Sequence, residues 1–292
     1  MTPRAREVVV GLAWVSPWLI GCVVFLLWPI AMSVYYSFTD YALVDAPVWV
    51  GLDNYRELAG DRLFVVAMAN TFAYAAMAVT LGTLVSVAIA VLLEQRLKGA
   101  ALVRSLVFLP TLVPVVAICV VWLWMLNPEY GFVNRLFAAA GLSGPNWLGE
   151  RTTALPAMAV MGVWVIGSPL LVCSAALKEV PASLYEAAEL DGMGALRRFM
   201  HVTLPMISPA IFFNGLMSVI WSLQVLAPPM IMTRGGPDNA TLTYSMYVYK
   251  TAFEFGRMGY ASALAWVQIL VTMLLAAVVV AASRRFIHYR GA

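Results

Sequence analysis

The chain has 292 residues, of which 62% are hydrophobic and 11% charged. A soluble domain carries about 25% charged residues, so this composition excludes a water-covered globule and points to a membrane protein. The net charge is only +3, and the three cysteines, Cys22, Cys119 and Cys173, lie in apolar runs without CxxC spacing, which excludes a disulfide framework and a cysteine-based zinc site.

Six windows contain no Asp, Glu, Lys, Arg or His: 8–39, 63–93, 105–128, 152–177, 202–233 and 258–283. Each is longer than the ~20 residues that a helix needs to cross the hydrocarbon layer, and barrel strands run only ~10 alternating residues. The windows predict an all-α membrane protein with six transmembrane helices, at about 9–31, 66–93, 105–126, 155–177, 205–229 and 261–283, in a single transmembrane domain over 1–292. The first of them follows Arg4 and Arg6, but it is too long for a signal-peptide core and no A-x-A pattern follows, so it reads as a retained span. The segment 32–65 is rich in Tyr and Trp and is expected at the outer interface. The second helix carries Asn70, Thr71 and Tyr74. The third carries Pro110 and Pro114, whose freed carbonyls are tolerated only against protein or a cavity. The fourth carries Trp164, Gly167 and Ser168, followed by Pro169. The fifth carries Asn214, Ser218 and Ser222 at four-residue spacing, hence on one face, with Trp221 beside it, and is expected to end at Pro228–Pro229. Beyond it, Gly235–Gly236–Pro237 signals a turn, and Tyr244, Tyr247 and Phe253 suggest a short interfacial helix. The sixth helix carries Trp266 and Gln268.

Basic residues orient the spans. With both termini cytoplasmic, the inner side holds Arg4, Arg6, Arg96, Lys98, Arg104, Lys178, Arg197, Arg198, Arg284, Arg285 and Arg290, against seven basic residues on longer outer segments. The positive-inside rule favours that topology. Both histidines, His201 and His288, fall on the same inner side.

Several kinds of chemistry are missing. There is no HExxH or Cys/His cluster and no GxxxxGK[ST] phosphate loop, so neither a metal site, a cofactor nor ATP hydrolysis is expected. No Ser/His/acid set can meet at membrane depth, so the chain does not read as an enzyme. An ion-coupled carrier usually keeps an ionisable residue inside the membrane, and none lies in these spans. Sodium can be held by carbonyls and hydroxyls alone, so an ion-coupled secondary sugar carrier stays open as the alternative, beside a membrane scaffold that moves nothing. The polar groups that remain at depth, Trp164, Ser168, Asn214, Ser218, Trp221 and Ser222, have two readings. They are helix–helix glue, or they line a neutral pathway whose rings and hydroxyls suit a sugar or polyol. A phosphate would want an Arg or Lys that is not in reach.

One segment stands apart from the oily remainder: 178–204, which contains SLYEAAELDGMGALRRFMHVT and runs into Leu204–Pro205. Ser183 and Glu186 have capping-box spacing. Acids come early (Glu186, Glu189, Asp191) and Arg197 and Arg198 late, an order that suits the helix dipole. Gly192 and Gly194 predict two short helices with a turn between them. A lipid-surface helix would be basic throughout, whereas this one begins acidic, so it reads as a surface for a protein partner.

The segment also resembles a known motif. Glu186-Ala187-Ala188, three residues, Gly192, nine residues, Val202, one residue and Leu204-Pro205 is similar to the EAA motif of ABC-importer permease subunits, EAA-x3-G-x9-I-x-LP, with Val202 in place of Ile. WPIAMSVYYSFTDY, WVGLDNY and GGPDNATLT…YKTAF…MGYASA look like the carbohydrate-uptake group that handles maltose-like, lactose-like and glycerol-3-phosphate-like solutes. The resemblance covers residues 17 to about 265. It implies a type I importer in the bacterial plasma (inner) membrane. The partners implied are a second homologous permease, two ATP-binding subunits and an extracellular or periplasmic solute-binding protein, with a sugar as cargo and no nucleic acid. It also implies that Glu186, Ala187, Ala188 and Gly192 are the contact and turn positions of a coupling loop that docks on the ATPase.

Overall fold

The computed structural model describes residues 3–94 and 99–283. Arg96, Lys98, Arg284, Arg285, Arg290 and His288, used above to orient the chain, lie outside those residues. The regular secondary structure of the described residues is helical except for one two-stranded hairpin. It falls into two compact units, one drawn from Met1–Asp61 and Val248–Ile269, the other from Arg62–Tyr247 and Leu270–Ala292.

In the first unit, α1 (Pro3–Cys22) passes through a π-helical turn at Val23–Leu27 into α2 (Trp28–Ser37). Val10–Ser37 is thus one helix of 28 residues, and its most apolar window has no buried residue. It runs past the expected end at 31 because no Pro or Gly follows Pro29 before Pro47, so nothing stops the helix when apolar side chains give way to Tyr35, Tyr36 and Ser37. A short hairpin follows. β1 (Thr39–Asp40) pairs antiparallel with β2 (Val48–Trp49), Thr39 opposite Trp49. Phe38 stacks on Trp49 with ring centroids 5.6 Å apart, and Tyr36 stacks on Tyr41 at 4.7 Å. The amide of Asn54, on α3 (Asp53–Gly60), donates to the carbonyls of Ser37 and Thr39 at 3.0 and 2.9 Å. Arg257 donates to both oxygens of Glu57, at 2.7 and 2.6 Å, and Tyr260 donates to Asp61 at 2.7 Å. Gly259 lies so close to the Thr39 carbonyl that a Cβ there would sit 2.0 Å from it.

The second unit is built on α4 (Arg62–Glu94), 33 residues long. It starts before the expected 66 because Arg62 ends the α3–α4 turn, and Leu63 and Phe64 continue the apolar run. The other helices come as bent pairs rather than straight rods. α5 (Ala100–Phe108) with a 3-10 turn at Leu109–Leu112 meets α6 (Val115–Met125) at 104°. α7 (Phe132–Ala139) precedes α8 (Ala154–Val163), which meets α9 (Gly167–Lys178) at 47°. After α10 (Ala182–Leu190), α11 (Ala195–Arg198) runs through a π turn at Phe199–Thr203 into α12 (Leu204–Met206), and that run meets α13 (Ser208–Leu223) at 67°. Three helices among the described residues are therefore long and apolar enough to cross a membrane, or up to six if each bent pair is one span. Pro114, Pro169 and Pro209 lie at the start or in the first turn of the helix that follows each bend, where proline's missing N–H breaks no helical bond and its ring favours a fresh start.

The expected fifth helix, 205–229, is the one most changed. It stops at Leu223, and Pro228–Pro229 open a new helix, α14 (Ala227–Met232), instead of closing the old one. Proline fits the first helical turn, where its missing N–H has no partner to lose. The expected short helix near Tyr244 is α15 (Tyr244–Tyr249), followed by a π turn at Lys250–Glu254 and then α16 (Met258–Ser283).

Two apolar clusters hold the second unit. One joins Tyr74, Ile118, Cys119, Leu155, Met158 and Met161. The other joins Val87 and Ala90 of α4 to Leu170, Cys173 and Leu177 of α9, with Val180 and Ile207, and Tyr185 and Phe199 pack against it. This second cluster seats the loop between α9 and α13.

Candidate functional site

α9 ends at Lys178, and Pro181 then fixes an extended residue at φ −60° and ψ 134° from which α10 starts. The helix begins two residues earlier than the capping-box spacing suggests. Pro181 is the N-cap, no side chain caps the helix, and Ser183 lies one step inside it. The capping-box reading of Ser183 and Glu186 is therefore corrected: a proline with φ already near −65° starts the helix without a hydroxyl.

The other end of α10 closes as its sequence implies. Met193 N–H donates to Ala188 C=O at 2.9 Å, and Gly192 N–H to Glu189 C=O at 3.0 Å. These two bonds are the Schellman arrangement, which needs a left-handed residue at the turn. Gly192 supplies it with φ +71°. A Cβ there would meet nothing within 4 Å, so backbone conformation alone demands the glycine. Gly194 is extended at φ −65° and ψ 163° and starts α11. Two short helices with a glycine turn between them are what the structure contains.

The two helices brace each other. The Arg198 guanidinium donates to Glu189 and lies 5.9 Å from the Tyr185 ring centroid. The Tyr185 hydroxyl pairs with the buried Thr203 hydroxyl at 3.2 Å, and His201 Nδ1 pairs with the Arg197 carbonyl at 2.9 Å. Tyr185 and Ala188, three residues apart, share the side of α10 that faces inward, and Glu189 stands exposed at its edge. Ala188 is 3% exposed. Glu186 and Leu190, also four apart, share the other side. Glu186 and Ala187 are exposed, Glu186 has no partner among the described residues, and Leu190 and Leu196 are 90% and 77% exposed. Of the four motif positions, Glu186, Ala187 and Gly192 are thus presented outward. Ala188 is packed inside, where its small side chain lets α10 lie against the π turn. Sequence reading missed Tyr185 and Arg198 as braces and Leu190 and Leu196 as projecting residues. Helical spacing along 182–190 carried the signal for the first of these.

The six polar positions at depth do not form one group. Asn214 and Ser222 are buried, and the Asn214 amide donates to Pro169 C=O at 2.9 Å and lies 3.3 Å from Cys173 Sγ, joining α13 to α9. Ser218 is half-buried, Ser168 is exposed, and Trp221 is 69% exposed. Trp164, exposed at the α8–α9 bend, meets Trp122 edge to face at 6.0 Å. Asn70 and Thr71 turn out to be anchors: Asn70 donates to the carbonyls of Asn239 and Leu242 at 2.7 and 3.0 Å, and Thr71 Oγ1 accepts from Tyr244 N–H at 2.8 Å. Two bends are joined directly, since Gly167 N–H donates to Thr111 Oγ1 at 3.1 Å. Among the described residues no three His, Cys, Asp or Glu side chains gather where a metal could be held.

Comparison with known proteins gives a consistent family. The family described as "Binding-protein-dependent transport system inner membrane component" matches residues 82–288. A probable ABC transporter permease protein, YesP of Bacillus subtilis (strain 168), is 36% identical over 98% of this chain and 94% of its own length. The diacetylchitobiose uptake system permease protein NgcF of Streptomyces coelicolor is 32% identical over 90% of this chain and 78% of its own. A chain of a bacterial alginate ABC transporter, solved in complex with an alginate pentasaccharide-bound periplasmic protein, superposes with a TM-score of 0.80 at 22% identity, covering 96% of each chain. That likeness is one of fold.

Proposed function

The chain belongs to the family of binding-protein-dependent transport system inner membrane components, and from that membership we propose that it is the permease subunit of an ATP-driven importer that carries a sugar or related polyol across the bacterial plasma membrane. The permease forms one transmembrane domain with both termini cytoplasmic. It works with a second homologous permease, two ATP-binding subunits and an extracellular or periplasmic solute-binding protein. Named relatives support a carbohydrate cargo, among them the diacetylchitobiose uptake permease.

The observation that carries the coupling role is the braced loop between α9 and α13. A loop that transmits force must be stiff inside and bare outside. Arg198–Glu189 and Tyr185–Thr203 stiffen this one, while Glu186, Ala187, Leu190 and Leu196 are left for a partner. It has no slack, because only Glu179, Val180 and Pro181 separate α9 from α10. Closure of the ATPase dimer therefore moves α9 and the α11–α13 run with the loop, and the bends at 113–114 and 164–166 absorb the change as the pathway turns from outward-facing to inward-facing. The neutral pathway uses the exposed Trp164, Ser168 and Trp221 with Ser218, rings for sugar CH faces and hydroxyls for its oxygens. Asn214 and Ser222 hold the helices behind it.

The test is Glu186→Lys in the assembled transporter. Reversal of this outward carboxylate is expected to abolish co-purification of the ATPase while the permease still inserts and pairs with its second permease. Undiminished co-purification would remove Glu186 from the contact. Trp221→Ala and Ser218→Ala are expected to lower uptake several-fold with ATPase docking unchanged; equal uptake would return both residues to packing.

A further inference from the structure

The inner half of α4 and the run from α11 to α13 enclose an open groove of about 630 Å³. Its walls are Leu84, Val87, Val91 and Leu92 on one side and Phe199, Met200, Leu204 and Ile211 on the other, with Thr83 and Ala88 the small residues. From the structure we infer that this groove is a lipid site, which holds an acyl chain of an anionic phospholipid from the cytoplasmic leaflet. The inference rests on the coupling loop being cytoplasmic, as proposed above.

Three observations favour that occupant. The first is depth. α4 ends at Glu94, which pairs with Arg104 at 2.9 Å, and the groove runs up α4 from Leu92 to Thr83. Nine helical steps cover about 14 Å at 1.5 Å per residue, about half of a hydrocarbon layer roughly 30 Å thick. The groove is as long as one leaflet is deep. The second is wall chemistry. Helix seats in membranes are rich in Gly, Ala and Ser and in hydrogen-bonding side chains, which let backbones approach. These walls are mostly large aliphatic groups, and Leu84, 63% exposed, projects from them. Flexible methylenes fill such a surface better than a second helix does. The third is charge. Arg197, Met200 and Leu204 stand three and four residues apart on the continuous helical run Ala195–Met206, hence on one stripe. The stripe is apolar at depth and ends in an exposed guanidinium that pairs with no carboxylate among the described residues. An apolar slot with one arginine at its aqueous end matches an acyl chain with a phosphate headgroup. Phe199 and Met200 belong to the π turn behind α10 and α11, so an occupied groove supports the coupling loop from the membrane side.

The test uses the complete transporter, reconstituted in phosphatidylcholine vesicles with a minor fraction of phosphatidylglycerol, then gently re-extracted and weighed by native mass spectrometry. The wild-type complex is expected to retain phosphatidylglycerol in preference to phosphatidylcholine. Ala88→Trp, which fills the groove, and Arg197→Gln, which removes the headgroup ligand, are each expected to lower that retention several-fold. If Ala88→Trp fails to insert, Leu84→Asn places an amide at an exposed groove position and is expected to do the same. Retention at the wild-type level in the groove-filling variant overturns the site. Loss with Arg197→Gln alone also overturns it, since the lipid is then held only at the surface. An introduced Leu84→Cys that cross-links to the second permease, with no lipid retained, makes the groove a subunit seat and ends the proposal. Glu186→Lys separates the two readings: it is expected to strip the ATPase and leave lipid retention intact. ATPase binding that survives it, with normal lipid retention, sinks the coupling role and leaves the lipid site standing.

Discussion

Gly192 carries one of the strongest demands that the fold makes on a single residue. At φ +71° an L side chain pays for the left-handed conformation although space around it is open, and that strain is about 1–2 kcal/mol. Gly192→Ala is expected to weaken ATPase binding about tenfold, the equivalent of 1.4 kcal/mol. Gly192→Asn should lose less, because Asn tolerates the left-handed region. A binding titration of the detergent-solubilised permease pair with purified ATPase reads both, and equal affinity for all three would show that the turn does not shape the contact. Outside the spans, the Arg257 guanidinium donating to Glu57 holds that carboxyl below the ordinary carboxylate range. The lowered value fixes the sign: the link is at full strength above the usual Glu pKa of about 4.3 and is lost as pH falls through the lowered value. Both partners are half-exposed, so the effect is small, at most about 1 kcal/mol. Thermal unfolding between neutral pH and acid should show a steeper fall for the native chain than for Glu57→Gln; parallel curves would contradict the pairing.

Elements differ in how far sequence alone reveals them. Every charge-free window contains helix, because a span too long for a barrel strand satisfies its backbone groups in a hydrocarbon layer only as a helix. The bends were less legible. Pro110 and Pro114 mark the third span as irregular, yet the 104° turn at 113–114 depends on what α6 packs against, and a single chain does not encode that in local composition. The capping-box reading failed since Pro181 competes for the same position, and the end placed at Pro228–Pro229 failed because proline starts a helix as readily as it stops one. In the loop between α9 and α13, the glycine turn and the outward Glu186 were legible, whereas the inward seat of Ala188 depends on Tyr185 and Thr203, eighteen residues apart. The Thr111–Gly167 link joins two bends across 56 residues and was invisible to spacing. It gives a prediction at this scale. A Cβ on Gly167 would lie 2.3 Å from Thr111 Oγ1 and 2.9 Å from the Phe108 ring, so Gly167→Ala should force the two bends apart. Uptake is expected to fall at least tenfold while co-purification of the ATPase, for which the loop beyond α9 is proposed, stays normal. Full uptake would mean that the bends move independently.

For the whole molecule, the central contrast is between charge-free spans and one braced, charged loop. No Asp, Glu, Lys, Arg or His occurs in the apolar windows, and among the described residues 182–205 is the short segment that joins an outward acid, flanking apolar residues and the motif. On the proposed function, energy enters through a partner at that segment. The direct measurement is sugar uptake into vesicles that contain the complete transporter and its solute-binding protein, with ATP sealed inside, comparing native ATPase subunits with ones whose phosphate-loop lysine is replaced. Uptake is predicted to vanish with the replaced lysine and to persist in the presence of an ionophore. Uptake that survives the lysine replacement and collapses with the ionophore would contradict the account and identify an ion-coupled carrier.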